Sequence, residues 1–188
     1  MNAEATQDIT TDTLVEDLKT VMRDAEALIK ATSAQTGEKI QEVRARAEES
    51  LRQGHHPFGA ILVGPDHATV LMTQGNVDGV NHAESVLARN AAQRFSPDEL
   101  WHCTLYTTVE PCAMCAGTQY WAHIGRVIYG MSEHRLLQIT GNHAENPTLD
   151  LPCRDIFARG QKDIEVIGPV AEVEDEIAAL HVRFWQGP

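Results

Sequence analysis

Two short stretches of the chain hold residue types suited to metal chemistry. His82-Ala83-Glu84 and Pro111-Cys112-Ala113-Met114-Cys115 each read as the opening of a helix. Cysteines three apart at a helix start can both meet one metal ion, and the helix dipole favours their thiolate forms. His82, at a neighbouring helix start, supplies a third ligand. Three nitrogen and sulfur ligands leave one position of a tetrahedral ion open, the arrangement of catalytic zinc, whereas structural zinc usually takes four ligands. Glu84, two residues past the histidine, can face the open position without being a ligand. A metal-activated water with a carboxylate beside it makes a hydrolytic site. Glu110, just before Pro111, reads as a carboxylate that holds the cysteine turn, not as a proton carrier.

The elements that must position these groups follow from hydrophobic periodicity. Gly59–Val63 and Ala68–Met72 are β-rich runs separated by Gly64-Pro65-Asp66-His67, a hairpin. Residues 83–94 have helical spacing, Cys103–Thr108 is a strand, and Pro111 suits the first turn of a helix running to Ala122. Arg126–Tyr129 and Asp163–Ile167 are two further strands, and residues 171–185 form a closing helix. Strand–helix alternation after a hairpin predicts an α/β fold: three α/β/α layers around a five-stranded mixed sheet. A second tripeptide, His143-Ala144-Glu145, precedes Asn146-Pro147, where a helix cannot run straight on, so it reads as surface loop lining the pocket mouth.

The first third of the chain differs in kind. All ten aromatic residues, all eight prolines, all four cysteines and all nine histidines lie at or after His55. Leu14, Leu18, Val21, Ala25 and Leu28 form one apolar helical stripe, with Thr13 and Glu16 as a capping box. A looser stretch is expected over Ala31–Gly37 before Ile40, Val43, Ala47 and Leu51 resume the stripe. The expected organisation is a helical extension over 1–39, reaching at most 53, followed by a domain over 40–188. The net charge of −12 is shared, with 11 acidic and 7 basic residues in the first 54 and 16 and 8 in the remainder. An acidic balance disfavours nucleic acid as the partner. No apolar run spans a membrane, no secretory signal is visible, and four cysteines without such a signal point to metal or thiol chemistry in the cytoplasm.

His82-x-Glu84 with Pro111-Cys112-x-x-Cys115 resembles the signature of the cytidine deaminase superfamily. Pro57-Phe58-Gly59-Ala60, Leu105-Tyr106-Thr107-Thr108-Val109-Glu110-Pro111-Cys112 and Ile124-Gly125-Arg126-Val127-Ile128-Tyr129-Gly130 resemble the branch holding guanine, cytosine and tRNA adenosine deaminases. Residues up to about 53 are similar to the soluble helical part of ElaB/YqjD-type proteins, without their membrane anchor.

The superfamily resemblance implies that His82, Cys112 and Cys115 bind Zn2+. It also implies that Glu84 takes a proton from the zinc-activated water, passes it to the ring nitrogen and then protonates the departing ammonia. Asn76 and the backbone N–H of Ala83 would contact the base, and Phe58 and Trp121 would wall it. The expected activity is hydrolytic deamination of a nucleobase, nucleoside or related aminated heterocycle, with guanine or another free base favoured, in a homodimer. The alternatives are a tRNA-specific adenosine deaminase, disfavoured by the acidic balance and the short segment between Met72 and His82, and a non-catalytic zinc or adaptor module, which would not need Glu84. Cys103 and Cys153 read as buried or idle thiols.

Overall fold

The computed structural model describes residues 11–141 and 143–187; the side chains of 11–14, 16, 17, 24 and 26–33 lie outside the description, and with them the Thr13–Glu16 capping pair and Leu14 and Leu28. The chain divides into two compact units, Met1–Thr36 and Gly37–Pro188. Helix α1 spans Thr11–Arg52 without a break, so the stretch around Ala31–Gly37 is helical rather than loose. It contains no proline, and one glycine costs only about 1 kcal/mol relative to alanine in a helix. In the first unit Val15, Leu18, Val21 and Met22 of α1 are exposed. Among the described residues no helix is long and apolar enough to cross a membrane.

In the second unit the strands are β1 (Gly59–Val63), β2 (Val70–Gly75), β3 (Thr104–Val109), β4 (Arg126–Met131) and β5 (Glu165–Ile167). They form one five-stranded sheet in the order β2-β1-β3-β4-β5. The pairs β1–β2 and β1–β3 are antiparallel, β3–β4 and β4–β5 parallel, as the predicted mixed sheet requires. All five residues of Gly-Ala-Ile-Leu-Val in β1 are buried, because helices cover both faces. Alternate side chains then serve opposite cores. Ala60, Leu62, Leu105, Val127 and Tyr129 meet α2 (Ala83–Ala92), α3 (Pro97–Trp101), α4 (Ala113–Ala122) and α6 (Cys153–Phe157) through Leu87, Leu100, Ala116 and Phe157. Ile61, Val63, Tyr106, Ile128 and Met131 meet the end of α1, α5 (Glu133–Thr140) and α7 (Ala171–Trp185) through Ile40, Val43, Leu136 and Ile177. A Cβ at Gly59 would stand 2.6 Å from the Val43 carbonyl and 2.8 Å from the Ala47 nitrogen, so a glycine there lets α1 lie directly on β1.

Three short helices go beyond the sequence-based expectation, although each start carried a signal. Ser96 and Glu99 form a reciprocal capping box with Pro97 at the first turn of α3. Ser132 caps α5 by accepting from the Arg135 N–H at 3.1 Å. Glu110 anchors both α5 and α6: Oε2 accepts from the Glu133 N–H at 3.2 Å and Oε1 from the Cys153 N–H at 2.9 Å. Its role is therefore structural as expected, but its targets are two later helix starts rather than the cysteine turn.

Candidate active site

Two helices begin at the same place. His82 is the N-cap of α2 and Cys112 the N-cap of α4, with Cys115 in the first turn of α4. The loop ahead of α2 is braced by Asp78, whose Oδ1 accepts from the N–H groups of Val80 at 2.8 Å and Asn81 at 2.7 Å. Together with the Asn81 side chain, which contributes most, these bonds hold the Asp78 carboxyl down at about 2. The braced loop presents the Gly79 carbonyl to His82 Nε2 at 3.2 Å. A carbonyl only accepts, so Nε2 carries the proton and Nδ1 is left to face the sulfurs.

The ligand atoms of His82, Cys112 and Cys115 all lie within 4.8 Å of one another, and His82 Nδ1 is 3.6 Å from each sulfur. Tetrahedral zinc, at about 2.3 Å from sulfur and about 2.0–2.1 Å from nitrogen, places those two atoms about 3.6 Å apart. The donor set and its spacing therefore fit zinc. Charge agrees with geometry. The Cys112 thiol, hydrogen-bonded by Cys115 and by His82, is held down at about 4. The same pairing with Cys112 pushes His82 up to about 9. Cys115 is pushed upward by its bond to Cys112 and by burial. Ser85 Oγ donates to the Cys115 sulfur at 3.3 Å, a hydroxyl that sequence reading did not single out. Cys103 and Cys153 are buried thiols outside this group.

Glu84, the second residue of α2, is buried. Thr107 Oγ1 of β3 donates to Glu84 Oε1 at 2.6 Å, while Oε2 lies 3.5 Å from the Cys115 sulfur, turned toward the metal ligands. Burial pushes the Glu84 carboxyl up, against the Thr107 hydrogen bond, which lowers it. A small cavity adjoins it, lined by Phe58, His82, Glu84, Val109, Glu110, Cys112, Glu133, Leu136 and Asn146. The Phe58 ring stacks parallel to the His82 ring, 10° between planes and 6.2 Å between centroids. Burial, then the charges of Cys112, Glu84 and Glu110, push Glu133 up to about 8.

The structure thus lines one cavity with His82, Glu84, Cys112 and Phe58 and sets the buried Cys115 against His82 and Glu84. Ala83 is buried at the start of α2 between two of them. Asn76 lies just past β2, and its Nδ2 donates to the Asp78 carbonyl at 3.2 Å. It lines a neighbouring cavity beneath α1, and its buried Oδ1 has no hydrogen-bond partner. Trp121 is 76% exposed on α4 and lines a different, open groove with Met114 and Arg89. At about 100° per residue, position 121 points roughly 240° around the helix from Cys115. The His143-Ala144-Glu145 segment is loop, and its neighbour Asn146 reaches the cavity wall. Thr107, which bonds Glu84 from behind, and Glu133 and Asn146, which line the cavity, were missed because only strand register and loop path bring them there.

Comparison with known proteins agrees with this geometry. Residues 33–131 match the family model of the cytidine and deoxycytidylate deaminase zinc-binding region. A probable cytosine deaminase of Schizosaccharomyces pombe is 36% identical over 152 residues, 79% of this chain and 91% of that protein. A guanine deaminase of Bacillus subtilis is 42% identical over 82 residues, 42% of this chain and 51% of that one. A solved guanine deaminase from Nitrosomonas europaea shares the fold with a TM-score of 0.58 at 20% identity, over 82% of this chain and 84% of that one. The chain therefore belongs to the cytidine and deoxycytidylate deaminase family and is a zinc-dependent hydrolytic deaminase.

Proposed function

We propose that the substrate is a free nucleobase, whose ring amino group leaves as ammonia while a carbonyl takes its place. The observation that carries this reading is the charge of the cavity wall. Its lining includes the carboxyls of Glu84, Glu110 and Glu133 and contains no lysine or arginine. One phosphate charge about 4 Å from one carboxylate costs about 4 kcal/mol at an effective dielectric of 20. Phosphorylated substrates are disfavoured accordingly. The relative matched over most of its length is named a probable cytosine deaminase, so cytosine joins guanine as a first compound to test.

His82, Cys112 and Cys115 would hold the zinc. When bound, zinc acts as a Lewis acid that brings the pKa of a coordinated water to about 7. Glu84 carries the protons. Its Oε1 is pinned by Thr107, so Oε2, facing the ligand sulfurs, is the atom that accepts and returns them. A carboxyl raised by burial can hold a proton long enough to pass it to a ring nitrogen and then to the leaving amine. Phe58 fixes the plane of the base and excludes water. We assign base contacts to the Ala83 N–H and to Asn76, whose buried Oδ1 needs a donor.

We place a homodimer contact on the α2/α4 face, where Trp121 and Met114 border an apolar groove of about 600 Å³. Four unpaired cysteines suit a reducing cytoplasm. The test of function is ammonia release by the zinc-loaded protein from cytosine, guanine, cytidine, deoxycytidylate and a tRNA anticodon stem. Free bases should be turned over fastest; faster turnover of deoxycytidylate or the RNA would overturn the reading.

A further inference from the structure

Of the three carboxyls at the cavity, two have defined partners. Glu84 is held by Thr107, and both oxygens of Glu110 accept backbone N–H bonds. Glu133 differs. It opens α5 and is only 7% exposed, and its carboxyl makes no hydrogen bond among the described residues. Nor is it one of the grouped metal-ligating residues, which are His82, Cys112 and Cys115.

The Glu133 oxygens are not among the fully buried atoms without a partner, so they open onto the cavity, where an acceptor left unpaired costs free energy once a ligand shuts out water. The cavity wall offers Glu133 no lysine or arginine, and its one basic group, His82, is engaged by the cysteine sulfurs. The charges that act on it from Glu84, Glu110 and Cys112 are of its own sign. A donor brought in by a ligand would supply the partner it lacks. An ordinary anion would be repelled. A neutral heterocycle with N–H groups on its edge would be held, because one carboxyl can engage adjacent ring N–H and exocyclic groups together.

We propose that Glu133 determines specificity by reading the N–H edge of an unsubstituted base, so that a nucleoside, in which a sugar replaces one N–H, is discriminated against. This rests on the aminohydrolase reading above. A site built to hydrogen-bond a substrate N–H rejects an analogue lacking it, because the buried acceptor is left unpaired.

The test compares wild type with Glu133→Ala and Glu133→Gln, after zinc content and thermal melting show that both variants fold and hold metal. For the best free base, Glu133→Ala should raise KM about 10- to 100-fold while kcat changes by less than about 3-fold, as expected for a lost hydrogen bond to a carboxyl group. The ratio of kcat/KM for the base over its nucleoside should fall by about 10-fold or more, and Glu133→Gln should recover part of the loss. Unchanged KM and ratio in Glu133→Ala would overturn the proposal, as would loss of zinc or folding in both variants. Equilibrium binding of cytosine and guanine to zinc-loaded Glu84→Ala, with and without Glu133→Ala, reads the same contact without turnover. Binding that depends on Glu133 in a chain whose wild type releases no ammonia would uphold this contact and overturn the proposed reaction.

Discussion

Replacing Thr107 by valine removes one hydroxyl from a wholly buried site and keeps the β-branched shape. The Thr107 Oγ1 lies 2.6 Å from Glu84 Oε1 and 3.2 Å from the Gly59 carbonyl. It has one proton and can use it in two ways. It donates to Oε1 both when Glu84 is ionised and when Oε2 carries the proton, and the Gly59 carbonyl offers it a second, longer acceptor. The carboxyl is thus held in one orientation through both states of a proton carrier. Valine can do neither. A hydrogen bond to a charged group contributes about 1.5–3 kcal/mol, so kcat should fall roughly 10- to 150-fold, at 1.36 kcal/mol per decade. The hydroxyl also favours the carboxylate form. Without it the Glu84 pKa rises further, and the acidic limb of the kcat/KM profile moves to higher pH. Steady-state ammonia release from pH 5 to 9, on protein with full zinc content, measures both effects, and Thr107→Ser should restore them. Wild-type kcat with an unmoved acidic limb in Thr107→Val would refute this account of Glu84.

Glu84→Ala should keep its zinc, since the ligand set is complete without it, and lose about 10²- to 10⁴-fold in turnover, the usual contribution of a general acid–base; metal analysis beside the ammonia assay checks this. Trp121→Glu, which places a charge on the exposed apolar groove, should halve the mass measured by sedimentation while leaving the zinc content intact. His181 is buried and held down to about 3, chiefly by burial, and its Nδ1 accepts from the Trp185 Nε1–H at 3.1 Å. Its folded pKa lies below the unfolded value of about 6.5, so the unfolded chain binds the extra proton and stability falls as pH drops from about 6.5 toward 3. Between pH 7.5 and 5 this amounts to about 2 kcal/mol. Urea midpoints should show a shallower loss for His181→Gln than for wild type, and parallel losses would exclude the histidine.

The metal site was legible in the chain alone, and local order determined it. His82, Glu84, Cys112 and Cys115 sit within two tight local spacings at helix starts, and local geometry aims such residues without knowledge of the rest of the fold. The five strands and the helices α2, α4 and α7 of the second unit were legible too, because apolar periodicity leaves a strong trace. The start of β2 came out two residues later than its hydrophobic run suggests, since Asp66 ties up the N–H groups of Ala68 and Thr69 in the turn. Everything set by register or rotation had to wait for the folded chain. Thr107 meets Glu84 because β3 lies beside β1 under α2; nothing in the Tyr-Thr-Thr-Val run says which threonine faces the site. Trp121 turns outward because of its angle around α4. Glu133 reaches the cavity because Glu110 draws the start of α5 to it. Local spacing fixes which atoms can share one ion, whereas the surroundings of that ion depend on segments far apart in the chain, and those meet only when the sheet has formed.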